Sequence, residues 1–226
     1  MEGQRQEKKP VDGKKIGVVA GIVVAVLAAV YLGLCAWVGS MDTIFPNTYI
    51  AGVNVSGMTV EQAQTAVEQA VAQHADEMAG TVTYQDWRGT VTAGQMEYDW
   101  GASAQAAWRD GRDNFFTQGG QYLARLMGRE HRVAARSVSN EAVDRLLARL
   151  QEDRGEDVTT ASYELDGDRL VMVKGRTGVS ISPEETLDTV LDALDEAMDR
   201  KLRQGEAGYV EAERELQPQE TAPQEP

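Results

Sequence analysis

Apolar and polar positions divide the chain into one unbroken apolar block followed by short periodic segments. Residues 16–38, IGVVAGIVVAVLAAVYLGLCAWV, run for 23 positions without a charge. About 20 apolar residues are enough to cross the hydrocarbon layer as a helix, and a helix satisfies its own backbone hydrogen bonds there. The block predicts a transmembrane helix. Beyond it the pattern changes to periods of 3.6 and 2. Val60, Ala63, Val67, Val71 and Met78 form one stripe of a helix over 60–78, with Thr59-x-x-Gln62 as a capping box. Runs at 81–85 and 89–98 read as strands about a turn at Asp86-Trp87-Arg88-Gly89. Trp108, Phe115, Tyr122 and Leu126 recur along a second helix over 103–128, with Gly119-Gly120 as a point where it can break. A strand at 131–138 follows, then a third helix from Ser139 with Val143, Leu146, Leu147 and Leu150 on its apolar face and a Val138–Val143 staple. Strands near 158–165 and 169–174 flank Asp166-Gly167-Asp168, a hairpin signal. The fourth helix opens at Ser182-Pro183-Glu184-Glu185 and buries Leu187, Val190, Leu191, Leu194, Met198 and Leu202. Residues 204–226 hold six Glu, one Arg and three Pro with few apolar groups, which predicts a disordered acidic tail. The fold class is α+β, with about four helices and a mixed or antiparallel sheet behind one transmembrane helix.

Charge orients the chain. Arg5, Lys8, Lys9, Lys14 and Lys15 against Glu2, Glu7 and Asp12 leave +2 ahead of the apolar block, and the first charge after it is Asp42. Positive residues stay on the cytoplasmic side. Residues 1–15 are therefore expected inside the cell, 16–38 across the membrane, 39–48 as a linker and 49–203 as an extracytoplasmic domain. A cleaved signal, with Val38 and Ser40 before the cut, is the competing reading, but a signal's apolar stretch runs about 7–15 residues. The formal net charge is −14, so subtracting the N-terminal +2 leaves −16 outside. Such a surface repels phosphate, and no nucleic-acid partner is expected. Cys35 is the single cysteine and lies in the apolar block, so the exterior forms no disulfide.

The polar residues offer little chemistry. His74 and His131 are the two histidines, too few for a zinc site, and His74 falls beside Asp76 and Glu77 on a solvated helix face. The stretch Glu152-Asp153-Arg154-Gly155-Glu156-Asp157 lacks the alternating oxygen ligands of a calcium loop. Asp166 and Asp168 flank a turn glycine, where Asp serves the backbone. Gly175-Arg176-Thr177-Gly178 lacks the Lys-Ser/Thr ending of a phosphate loop. No catalytic residue, metal or cofactor is expected.

Three stretches together resemble a known module. They are GVNVSGMTVEQA at 52–63, AAWRDGRDN at 106–114 and TTASYELDGDRLVMVKGRTGVSISPEETLDTVLDAL at 159–194. In order and spacing they resemble the peptidoglycan-binding domain that precedes VanW-like and YkuD-type L,D-transpeptidase domains in Gram-positive bacteria. The likeness extends over 44–203, with Gly52, Ser56, Gly57, Thr59, Gly111 and Gly178 at its motif positions as structural residues. It implies a wall-facing, extracytoplasmic role with peptidoglycan, glycan or peptide stem, as the partner. An L,D-transpeptidase needs a nucleophilic Cys and a nearby His. No Cys lies outside the apolar block, so no catalysis is expected. Trp87, in a turn, is a candidate to stack on a sugar ring, whereas Trp108 lies on an apolar stripe and reads as core. Arg88 and Arg112 are candidates to pair with wall-peptide carboxylates. The leading expectation is a non-catalytic, single-pass, membrane-anchored wall-contact module. The alternatives are a shortened or separated N-terminal part of an L,D-transpeptidase or VanW-like protein, and a scaffold for other envelope proteins.

Overall fold

The computed structural model describes residues 13–139, 141–154, 162–166, 169–173, 178–217 and 219–221. Most of the predicted cytoplasmic tail (1–12), half of the acidic loop (155–157), the Gly167-Asp168 turn, residues 174–177 and the last five residues lie outside the described residues.

Helix α1 (Gly13–Gly39) contains the apolar block and is long and apolar enough to cross a membrane. Its C-terminal end is seated on the rest of the protein, with Cys35 and Val38 fully buried. The chain does not then run off as a free linker. Ile44 and Phe45 are buried, and the Ile44 amide donates to the Met58 carbonyl at 2.8 Å.

A hairpin of β1 (Thr48–Ile50) and β2 (Val53–Asn54) follows, turning through Ala51-Gly52. Ser56 closes the next turn by accepting the Thr48 amide on Oγ at 3.2 Å, and Gly57 takes φ 73°. Helix α2 (Val60–Gln73) starts as expected. Thr59 Oγ1 accepts the Gln62 amide at 3.3 Å, and Gln62 Oε1 accepts the Thr59 amide at 3.1 Å. Ala63, Val67 and Val71 are buried. Met78 belongs instead to β3 (Met78–Tyr84), which pairs antiparallel with β4 (Trp87–Thr92).

That hairpin is tighter than expected. Tyr84 pairs with Trp87, so the loop is Gln85-Asp86, with Gln85 at φ 53°. A Gln in that conformation gives no turn signal in the sequence. Trp87, Gly89 and Val91 accordingly alternate on the buried face of β4.

The expected helix 103–128 is two helices, α3 (Trp100–Arg109) and α4 (Phe115–Leu126). The break falls at Gly111, with φ 74°, and Asn114 caps α4 by accepting the Phe116 amide at 2.8 Å. Gly119-Gly120 lies inside α4 and makes room for α1, since a Cβ on Gly119 would stand 2.9 Å from Cys35 Sγ. Among the described residues five α-helices therefore follow α1, where the sequence predicts four.

Strand β5 (His131–Val133) runs parallel to β1. Helix α5 (Glu141–Arg154) buries Val143, Leu146 and Leu150 against β4, but Val138 is exposed and makes no staple. Strands β6 (Ser162–Asp166) and β7 (Arg169–Val173) form the predicted hairpin, and β8 (Gly178–Ser180) leads to α6 (Pro183–Met198), capped by Ser182.

The acidic tail contains structure. Strand β9 (Val210–Glu215) lies parallel to β3, giving the order β4-β3-β9, and β10 (Gln219–Thr221) pairs antiparallel with β8. Val210, Ala212 and Leu216 are buried. Their period of two is a half-buried strand within an acidic composition, so the expectation of disorder fails for 210–216. Helix α6 lies across this sheet, with Val190, Leu194, Ala197 and Met198 in the common core.

Candidate functional site

The polar cleft lies where the first hairpin meets the end of α6. Gly52, at φ 78°, lets the backbone approach so closely that a Cβ there would stand 2.8 Å from both the Met198 carbonyl oxygen and Asp199 Cα. After Met198 the helix widens into one π turn, Asp199–Arg203. The result is an open cleft of about 540 Å³. Its walls are Tyr49, Ala51 and Gly52 on one side, Arg132, Val133 and Ala134 from β5 and its extension, and Asp192, Asp195, Glu196, Asp199, Arg200 and Gln204 from α6 and its turn; Arg214 of β9 closes the edge.

Most of these charges are already matched. Arg214 Nε donates to Asp192 at 2.7 Å, and a terminal nitrogen of the same guanidinium donates to Glu196. Arg200 grips Glu206 through two bonds of 2.7 and 2.8 Å and the Glu211 carbonyl through a third at 3.0 Å. Asp199 accepts two bonds from Arg203, at 2.6 and 2.9 Å, and one from Gln204 at 3.1 Å. The Arg203 bonds hold the Asp199 carboxyl below the usual carboxylate range.

Among the described residues, two groups are matched less fully. Asp195 is half-buried and accepts only the Ala135 amide, at 3.2 Å; no cationic side chain pairs with it among the described residues. Burial pushes its carboxyl up to about 7, helped by the charges of Asp192 and Asp199 and opposed by the Ala135 amide. Close by, the Tyr98 hydroxyl is buried with no hydrogen-bond partner among the described residues; burial, with the Asp195 charge, raises its pKa too. Arg132 is the second. Its contacts to Glu130 and Asp199 are both 3.7 Å, beyond hydrogen-bond reach, and its side chain is largely exposed. The cleft thus presents a desolvated carboxyl with no cation beside it among the described residues and an exposed guanidinium held only by two long ion pairs.

The residues singled out from the sequence lie elsewhere and do not converge. Trp87 is buried on β4 rather than exposed in a turn. Its ring covers Gly89, and its indole N–H donates to Asp153 at 3.0 Å, so little of the side chain is open to solvent. Arg88 is exposed on the opposite face, ion-paired across the sheet with Glu211 and Glu213. Arg112 is a clamp beside α1: it donates to the carbonyls of Trp108 and Thr43, the latter at 2.7 Å, and stacks 4.1 Å from the centre of the Phe45 ring. Burial lowers its pKa from the ordinary guanidinium value. Trp108 is partly buried against the core, as expected. Of the motif glycines and hydroxyls, Gly52 alone borders the cleft; Ser56, Gly57, Thr59 and Gly111 shape turns and caps, and Gly178 begins β8.

The cleft residues did carry a signal. Asp192, Asp195, Glu196 and Asp199 repeat at helical spacing, which places them on one side of α6. An acidic stripe on a capped helix reads as a solvated face, and nothing local marks Asp195 as the member that the fold desolvates.

Comparison with known families fits this architecture. Neither the curated proteins nor the solved structures contain a significant match. A family model described as "Putative peptidoglycan binding domain" matches residues 90–203, from within β4 through α6 and its π turn. The match takes in the stretches at 106–114 and 159–194 and the cleft's α6 and β5 residues, while the stretch at 52–63 precedes it. As it spans just over half of the chain, the protein belongs to this peptidoglycan-binding domain family.

Proposed function

We propose that this protein is a non-catalytic wall-contact module, anchored in the membrane by α1, whose cleft holds the peptide stem of peptidoglycan. Family membership supports the wall as partner. The observation that favours peptide over glycan lies in one cleft: Asp195 has no cation beside it among the described residues, and Arg132 is an exposed guanidinium that meets Glu130 and Asp199 only at 3.7 Å. A peptide stem with a free amino group and a carboxylate offers each a partner of opposite charge, and a neutral glycan offers neither. The ammonium would pair with Asp195, which then loses its reason to hold a proton. The carboxylate would take the Arg132 fork. Arg214, shared by Asp192 and Glu196, and Arg203, on Asp199, offset part of the remaining negative charge and so reduce the repulsion that a bound carboxylate meets. In this reading the N-terminus is cytoplasmic and the α+β domain faces the wall.

The test is sedimentation of the detergent-solubilised full chain with isolated sacculi, with soluble stem peptide or peptide-free glycan strands as competitors. Saturable sedimentation that stem peptide reverses, and that weakens in Asp195→Asn and Arg132→Ala, is the expected result. Competition by glycan alone, or undiminished sedimentation of both variants, overturns the peptide assignment. No sedimentation at all overturns wall contact itself.

A further inference from the structure

Helix α4 has an apolar side that α1 crosses at Gly119 and that the described protein leaves exposed to either side of that crossing. Phe115, Phe116, Leu123, Leu126 and Met127 are all exposed, Phe116 at 65%, Leu126 at 57% and Met127 at 83%. At about 100° per residue these five fall within an arc of roughly 120°. The other side of α4 is tied to the domain. Arg125, the single charged residue of the helix, is buried, where it pairs with Asp110 and donates to Thr48 Oγ1 at 3.0 Å. An apolar side this continuous on an exposed helix needs an occupant.

What lies against it identifies that occupant. α1 crosses α4 at the diglycine, where Gly119 meets Leu34 and Cys35. Three contacts fix the level. The Tyr31 hydroxyl donates to the Phe116 carbonyl at 2.6 Å, Gln118 Nε2 donates to the Cys35 carbonyl at 2.7 Å, and the Trp37 and Tyr122 rings meet edge-on at 5.6 Å. Tyr31 is eight residues before the end of α1, so the span between them is about 12 Å at 1.5 Å per residue. The apolar length of α1, 17–39, is 23 residues. That is about 34 Å, slightly more than a hydrocarbon layer of about 30 Å. If α1 spans the bilayer, the start of α4 cannot stand clear of it: Phe116 is pinned to a residue inside the outer leaflet.

We infer that α4 is an interfacial helix embedded in the outer leaflet, with Phe115, Phe116, Leu123, Leu126 and Met127 against lipid on both sides of α1. The inference rests on the reading of α1 as a membrane span. Exposed Trp37 and half-buried Tyr122 then stand at headgroup level, where aromatic rings concentrate. The one charged side chain of α4, Arg125, points into the protein and so away from the acyl chains that the opposite side would meet. Because Cys35 and Val38 are locked into the domain, α1 and α4 act as two non-parallel anchors. They hold the domain at a fixed tilt rather than on a tether, which sets the direction in which the cleft opens.

The test uses the full chain in phospholipid vesicles. In a Cys35→Ala background, single cysteines at Phe116→Cys, Met127→Cys, Ile22→Cys and Val138→Cys carry an environment-sensitive fluorophore. Quenching by acyl-chain-brominated lipid is compared with quenching by aqueous iodide. All four positions are exposed, so labelling leaves packing intact. The expected result is that 116 and 127 lose most of their emission to brominated lipid and little to iodide, like 22 in α1 and opposite to 138. Iodide quenching at 116 and 127 while 22 stays in lipid overturns the inference and leaves the anchor standing. Iodide quenching at 22 overturns the anchor, and the inference with it. Protection of 116 and 127 from both quenchers, with crosslinking between chains, assigns the side to a second copy and also overturns the inference.

Discussion

Asp195→Asn should make the protein more stable and less able to bind, and the size of the stabilisation should depend on pH. The carboxyl is pushed from its ordinary 3.8 up to about 7 in the fold. Its surroundings are the Ala135 amide, the buried Tyr98 hydroxyl, and the like charges of Asp192 and Asp199. Between pH 4 and 7 the folded protein holds a proton that the unfolded chain has released, so stability falls as pH rises through that window. Above pH 7 the full cost of an ionised, desolvated carboxylate is present; below pH 4 it is absent. At 1.36 kcal/mol per pH unit, the limit is about 4 kcal/mol, and water entering the open cleft brings it to the order of 2–4 kcal/mol. Asn keeps the acceptor for the Ala135 amide and never ionises. Thermal unfolding of the full chain in detergent should show equal Tm values for variant and wild type near pH 4. The variant should be higher by about 5–15 °C at pH 8, at the usual few degrees per kcal/mol for a domain of this size. Sedimentation with sacculi should fall in the same variant. A difference in Tm that stays constant from pH 4 to 8, or a variant less stable than wild type at pH 8, would refute the desolvation argument.

The remaining predictions concern folding and the shape of the cleft. Trp87→Ala removes a buried indole and its bond to Asp153, and should cost about 3–5 kcal/mol in urea unfolding while sacculus binding by the folded protein is unchanged; lost binding at full stability would return Trp87 to the list of ligand contacts. Gly52→Ala places a methyl 2.8 Å from the Met198 carbonyl at a positive φ, and should cost more than about 2 kcal/mol and weaken sedimentation. A Gly52→Ala protein with an unchanged urea midpoint would mean that the hairpin and the end of α6 are not in close approach. Thr59→Ala breaks one arm of the α2 capping box and should cost about 1 kcal/mol with no effect on binding.

Signals confined to one turn of chain were legible. The Thr59–Gln62 box, the Ser182-Pro183 start and the apolar stripes of α2, α5 and α6 act between residues three or four apart, so the sequence displays the interacting partners side by side. The length of the apolar block likewise follows from composition alone. The misreadings had a common origin. Gln85 adopts a turn conformation that its side chain does not advertise, and this moved Trp87 from an exposed loop into the core. Gly119-Gly120 looked like a helix break because a glycine pair is a poor helix former, but what decides its role is α1, some 85 residues earlier in sequence.

The tertiary structure decided what depends on distant partners. β9 is a strand because Met78 offers Val210 a parallel neighbour and α6 covers Val210, Ala212 and Leu216; an acidic segment has no such support on its own. Asp195 differs from Asp192, Glu196 and Asp199 only in what packs around it. All four lie on one helical stripe, but Arg214 pairs with Asp192 and Glu196 and Arg203 pairs with Asp199, while β5 with its extension encloses the fourth. Periodicity and capping are local and are written in the order of residues. Desolvation and charge pairing are set by whichever groups the fold brings together, so the cleft became visible only when the first hairpin, β5 and the end of α6 were in place.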